Sequence, residues 1–107
     1  MRFECLDNNY QLIRNLRRPL DVTRRADSKL HTQLRTAAAS IALNIAEGRG
    51  RDGKDRRHHW RIARGSAEEV RAILEVAEAF GDLRAELASD ARVTLDSILR
   101  MLWTMTH

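Results

Sequence analysis

Leu34-Arg-Thr-Ala-Ala-Ala-Ser-Ile-Ala-Leu-Asn-Ile-Ala-Glu-Gly48, followed across a short basic loop by Trp60-Arg-Ile-Ala-Arg-Gly-Ser-Ala-Glu-Glu69, decides the fold. In the first word Leu34, Ala37, Ile41 and Ile45 recur at three- and four-residue steps, and Leu30 extends the stripe backwards. That period is the signature of a helix with one apolar face. In the second, Trp60, Ala63, Ala67, Val70, Leu74 and Ala77 repeat the same steps, as a seam between bundled helices does. Small residues stand where two backbones would meet, with Ala37 and Ala38 on one helix and Gly65 on the other. Close helix packing is expected at these three positions.

Outward from this pair, the patterning continues. Ser28 after Asp27 suits the N-cap region of the helix through Leu34. Gly48, Gly50 and Gly53 are expected to end that helix and form a turn, and Gly81 to sit just past the end of the next. Towards the N-terminus, Tyr10, Ile13, Leu16 and Leu20 mark a helix over about residues 7–25, with Pro19 expected to kink or split it. Towards the C-terminus, Leu87, Ala91, Leu95, Ile98, Leu102 and Met105 mark another over about residues 84–105. Short connections make sequential helices antiparallel. The expected architecture is all-α, an up-down-up-down antiparallel four-helix bundle forming one domain over residues 1–107.

Composition agrees with helices and bounds the function. Pro19 is the only proline, and β-branched residues are sparse. The near-apolar run 37–46 is too short to span a bilayer and is interrupted by Ser40 and Asn44. The first seven residues carry Glu4 and Asp7 where a signal peptide needs an apolar stretch, so a cytoplasmic location is expected. Cys5 is alone, which excludes an intrachain disulfide and a cysteine metal cluster and predicts a free thiol near a flexible chain end. The net charge of +4 is unevenly spread. Residues 1–64 hold 15 of the 19 Lys and Arg and 7 of the 15 acids, a net of +8, against −4 for residues 65–107. Such a division serves either an anionic partner or self-assembly of basic against acidic surface.

The words Asn44-Ile-Ala-Glu-Gly48 and Gly65-Ser-Ala-Glu-Glu69 carry a family resemblance. With Arg35, Ala37, Ala38, Ser40 and Ile41 before them and Trp60 between, they are similar to the bacterial four-helix-bundle proteins found in intervening sequences of large-subunit ribosomal RNA genes. That family also includes the accessory variability protein of diversity-generating retroelements. The likeness is good over about residues 30–83 and extends to the flanking helices by pattern alone. Ala42 departs from it, standing where many relatives carry proline, so the helix is expected to run straighter here. The resemblance implies a four-helix subunit in a ring-like homo-oligomer, a pentamer where the assembly is known. In the retroelement branch it implies association with nucleic acid or with a reverse transcriptase.

The best functional candidate among the residues themselves is the basic run Arg49, Arg51, Lys54, Arg56, Arg57, Arg61 and Arg64, with His58 and His59. Guanidinium forks suit phosphate oxygens, and a helix N-terminus near Lys54 adds free backbone donors. Nothing in the run reads bases, so contact with the RNA or DNA backbone is the chemistry it supports. The Gly48-Arg-Gly-Arg-Asp-Gly53 string matches a dinucleotide-binding pattern in letters only, because a helix precedes it and no parallel sheet is available. Exposed aromatics for single-strand stacking are scarce: Trp60 falls on the apolar seam, while Tyr10 and Trp103 lie nearer helix ends.

Arg35, Ser40, Asn44, Glu47, Ser66 and Glu69 form a second set, expected as a polar seam fixing the register of the two central helices. Glu47 and Glu69 would be the acid and base of a catalytic reading, but no nucleophile accompanies them. No catalytic residue, metal site or cofactor is expected. His58 and His59 are adjacent and diverge on a helix, and no Glu-x-x-His pair of a di-iron bundle occurs. The sequence therefore predicts a non-enzymatic, self-assembling scaffold that binds nucleic acid. The alternative is a protein-interaction module, for example one docking a reverse transcriptase.

Overall fold

A computed structural model describes residues 3–107, and every regular element among them is a helix. Five are formed: α1 (Glu4–Asn15), α2 (Arg17–Ala26), α3 (Ser28–Arg49), α4 (Gly53–Ala79) and α5 (Ala85–Thr106). The expected all-α class holds, and the first helical pattern is split near Pro19, so that five helices stand where a four-helix bundle was expected. Pro19 offers no amide hydrogen to the Asn15 carbonyl four residues back, and the helix breaks there, three residues ahead of the proline. Leu16 bridges the break. Its amide reaches the Leu12 and Ile13 carbonyls at 2.9 and 3.2 Å, and its own carbonyl accepts from Leu20 at 2.8 Å. Pro19 itself lies in the first turn of α2, where a missing donor is tolerated.

The N-cap of α3 is Asp27, one residue before the predicted Ser28. Its carboxylate accepts from the amides of Lys29 and Leu30 at 3.0 and 3.1 Å. Gly48 does not end α3. The helix runs on to Arg49, and the turn is made from Gly50 to Asp52. Gly81 occupies the predicted position past α4, at φ +80°. The Asp82 amide bonds the Ala77 carbonyl at 2.9 Å and the Gly81 amide the Glu78 carbonyl at 2.9 Å, the paired bonds of a Schellman stop.

Neighbouring helices run antiparallel, as their cross-links record. Ser40 meets Ser66 and Ile45 meets Trp60 between α3 and α4. Arg64 meets Thr106 and Arg71 meets Asp96 between α4 and α5. Asn8 meets Ser97 and Asn15 meets Thr94 between α1 and α5. In each case residue numbers rise on one helix as they fall on the other. Leu34, Ile41, Ile45, Ala63, Ala67, Val70, Leu74, Leu95, Ile98 and Leu102 are buried together, so the predicted stripes of α3, α4 and α5 are the core. On the first arm the stripe is shifted: Cys5, Leu12 and Leu16 are inside, while Tyr10 is exposed. The Cys5 thiol, expected near a flexible end, is thus a core group at 2% exposure.

Candidate nucleic-acid interface

The basic run straddles the α3–α4 turn, and the fold divides it into arginines engaged by other groups, two of them in the turn itself, and cations that are not. Arg51 is engaged twice, with Glu47 at 2.6 Å and Asp55 at 2.8 Å. These two carboxylates raise the Arg51 pKa further above its usual value, and Arg51 in turn holds the Asp55 carboxyl below the ordinary carboxylate range. Arg56 donates from Nε to the Gly48 carbonyl and from Nη2 to the Arg49 carbonyl, both at 3.1 Å. It thereby satisfies carbonyls that the end of α3 leaves open. Its guanidinium also lies 5.4 Å from the Trp60 ring centre. Arg49 lies over the Phe3 ring at 4.9 Å, and Arg64 donates to Thr106 Oγ1 at 3.1 Å.

Lys54, Arg57 and Arg61 remain. All three are exposed and make no side-chain hydrogen bond or ion pair among the described residues. Their spacing of three and four residues puts them on one face of α4, beginning in its first turn. The predicted basic run therefore reduces to a free strip of these cations, flanked by arginines already in use. His58 and His59 diverge as expected. His59 Nδ1 lies 3.2 Å from the Asn44 amide oxygen, while His58 is exposed.

Only part of the predicted polar seam comes together. Ser40 Oγ and Ser66 Oγ are 2.8 Å apart across α3 and α4. Asn44 Nδ2 donates to the Ser40 carbonyl at 2.9 Å and to its hydroxyl at 3.2 Å. His59, which the sequence reading left out of the seam, completes the chain through Asn44. Arg35, Glu47 and Glu69 are exposed and do not join it. They sit on the rims of their helices, where a long charged side chain keeps its head in water. Glu47 turns instead to Arg51.

Gly65 is also a correction. A Cβ built there meets nothing within 4 Å, so Gly65 is not where α3 and α4 pack closely. That place is Gly48, where a Cβ would lie 2.5 Å from Trp60 Nε1 and 2.6 Å from Trp60 Cδ1. The indole lies against the α3 backbone and donates to the Ile45 carbonyl at 3.2 Å. Ala37 and Ala38 are buried as predicted. The Gly-Ser word drew attention to the wrong glycine, because the period of α4 puts position 65 between two buried ones, Ala63 and Ala67, and facing outward.

A second basic surface escaped the sequence reading. Arg17, Arg18, Arg24 and Arg25 of α2 project from ten residues that hold Asp21 as their single acid. Asp21 pairs with Arg24 at 2.7 Å and Arg25 at 3.2 Å, leaving Arg17 and Arg18 without partners among the described residues. Arg17, Arg24 and the Arg35 side chain line a cleft of about 320 Å³ between α2 and α3. The charge density of residues 14–35 was the available signal. No three His, Cys, Asp or Glu side chains gather among the described residues in a way that would hold a metal ion. No helix among them is long and apolar enough to cross a membrane.

A crystal structure of a protein of unknown function from the S23 ribosomal protein family of Bacteroides thetaiotaomicron has the same fold. It superposes with a TM-score of 0.82 at 18% identity, covering 95% of this chain and 97% of that one. Among curated proteins, none matches the sequence. The family model described as 23S rRNA-intervening sequence protein matches residues 4–104, almost the whole of the five-helix domain. The chain belongs to the 23S rRNA-intervening sequence protein family.

Proposed function

We propose that this protein is a non-enzymatic, self-assembling helical scaffold of the cytoplasm that binds the phosphate backbone of RNA or DNA. In this reading α1 and α2, joined through Leu16, act as one bent arm, so that the subunit works as an up-down-up-down four-helix bundle. The observation that carries the binding role is the strip Lys54, Arg57 and Arg61, three exposed cations on one helical face with no carboxylate partner. Unpaired cations on a rigid helix give up no intramolecular ion pair on meeting phosphate. The ribosomal RNA setting named in the family description favours RNA as the partner.

The test is binding of a structured RNA and a duplex DNA at low and moderate salt, beside an Arg57→Glu/Arg61→Glu variant. Arg56 is spared because it caps α3. Affinity is expected to fall with salt, and the variant to bind more weakly with a salt slope lower by about 2. Absence of binding at low salt would overturn the nucleic-acid role.

Self-assembly into a ring, with five subunits as in the relatives' implied pentamer, has support of its own. Leu43 is 68% exposed and Ile62 39%, and Gly65 leaves open space on the same α4 surface. A glycine inside a helix costs about 1 kcal/mol relative to alanine. Here nothing in its own chain uses the space it leaves, as a second copy would. If oligonucleotides fail to bind, the same face fits a protein-interaction module, including one that docks a reverse transcriptase.

A further inference from the structure

The helical face that carries Arg57 and Arg61 continues along α4 beyond the free cations. Arg57, Arg61, Arg64, Glu68 and Arg71 follow one another at steps of four, three, four and three, a single stripe about 21 Å long. Its lower half forms one wall of a cleft of about 510 Å³ between α4 and α5. The opposite wall brings Leu99, Arg100 and Trp103. Trp103 is 58% exposed, unlike Trp60, which is packed against the core. His107 is stacked against the Trp103 ring at 3.5 Å between centres, and the Arg64 guanidinium lies over the ring at 5.5 Å from its centre. Over half of the residue still faces water.

The charges of the cleft are not equivalent. Arg71 is neutralised by Asp96 at 2.8 Å, with Glu68 at 3.8 Å. Arg64 donates to the Thr106 hydroxyl at 3.1 Å and has no carboxylate partner among the described residues. Arg100 has no side-chain partner among the described residues. A largely exposed indole in one cleft with the uncompensated guanidiniums of Arg64 and Arg100, continuing into a strip of free arginines, matches a ligand with a flat aromatic face and flanking phosphates.

We propose that the α4–α5 cleft receives an unpaired nucleotide of a single strand. Its base stacks on Trp103, its flanking phosphates lie on Arg64 and Arg100, and the strand continues along Arg61 and Arg57. A paired base is buried in its own stack and has no free face for an indole, whereas an unpaired one does. This inference rests on the nucleic-acid reading and adds to it the kind of nucleic acid and the place where a base is held.

The test is fluorescence anisotropy with labelled twelve-nucleotide single strands, as RNA and as DNA, and with a blunt RNA duplex. The proteins are the wild type and the variants Trp103→Ala, Trp103→Phe, Arg100→Gln and Arg57→Glu/Arg61→Glu. Trp103→Ala is expected to weaken single-strand binding about 10-fold or more, with duplex binding and the melting temperature unchanged. Trp103→Phe should keep most of the affinity, and Arg100→Gln should weaken single strands while lowering the salt slope by about 1. Tight binding of RNA strands, DNA strands or both, lost with the indole, supports the cleft. Wild-type single-strand affinity in Trp103→Ala, with both ligands weakened in Arg57→Glu/Arg61→Glu, would overturn the cleft and leave the backbone reading standing. Failure of the wild type to bind any of the oligonucleotides at low salt would overturn both.

Discussion

Asn9 is buried completely in α1, and neither its amide nitrogen nor its amide oxygen finds a hydrogen-bond partner among the described residues. Burying an amide unpaired costs about 1–3 kcal/mol. Asn9→Leu, close in volume and without polar atoms, should therefore raise stability by about 1–3 kcal/mol, read as a higher urea midpoint at constant slope. A lower midpoint would mean that the amide has a role in the assembled protein. Cys5 is the other instructive single residue. Burial, with a smaller contribution from Glu4, pushes its thiol from 9.0 up to about 11. The unfolded thiol ionises first, so between pH 9 and 11 the unfolded state loses a proton that the folded state keeps, and stability falls as pH rises. Comparing wild type with Cys5→Ala should isolate this loss, roughly 2 kcal/mol by pH 11 and nothing below pH 8. Parallel pH profiles for the two proteins would refute it.

At the scale of the helix, two glycines make opposite predictions. At Gly48 a methyl group would occupy the space of the Trp60 indole, which also donates to the Ile45 carbonyl. Gly48→Ala should cost about 1–3 kcal/mol by displacing that ring. At Gly65 a side chain would meet nothing within the subunit, and Gly65→Ala should raise the stability of the isolated subunit in dilute solution by about 0.5–1 kcal/mol from the stiffer backbone. Thermal denaturation of the pair checks both signs at once, and equal melting temperatures would sink the argument. The same contrast says what was legible. The stripes of α3, α4 and α5 could be read because three- and four-residue spacing is a local property of the chain. The division of the first arm at Leu16, ahead of Pro19, follows from the bond that proline denies to Asn15, and its exact place depends on how the rest of the helix repairs the gap.

For the whole molecule, the proposed self-assembly puts a second copy against the exposed α3–α4 face around Leu43 and Ile62. Leu43→Glu puts a charge on an exposed side chain and should leave the subunit's melting in dilute solution unchanged to within about 0.5 kcal/mol. If the face joins copies of the chain, light scattering will give a multiple of the subunit mass for the wild type and a smaller species for Leu43→Glu. A wild-type protein of monomer mass would remove self-assembly from the proposal. The cleft at Trp103 lies between α4 and α5, whereas Leu43 lies on α3, so Leu43→Glu leaves the residues of the cleft untouched.

By itself the sequence determined that this chain is helical, which residues of α3, α4 and α5 face inward, and where the positive charge is concentrated. Each of these depends on spacing and composition, which are set along the chain. Only the tertiary structure decided that Arg51 and Arg56 serve the turn while Lys54, Arg57 and Arg61 stand free, that Gly48 rather than Gly65 receives a neighbour, and that Trp103 faces a cleft of arginines. Whether a long side chain is engaged or free depends on what the folded turn and the packed helices bring within its reach: Glu47 and Asp55 for Arg51, the Gly48 and Arg49 carbonyls for Arg56, and a neighbouring helix for Trp103.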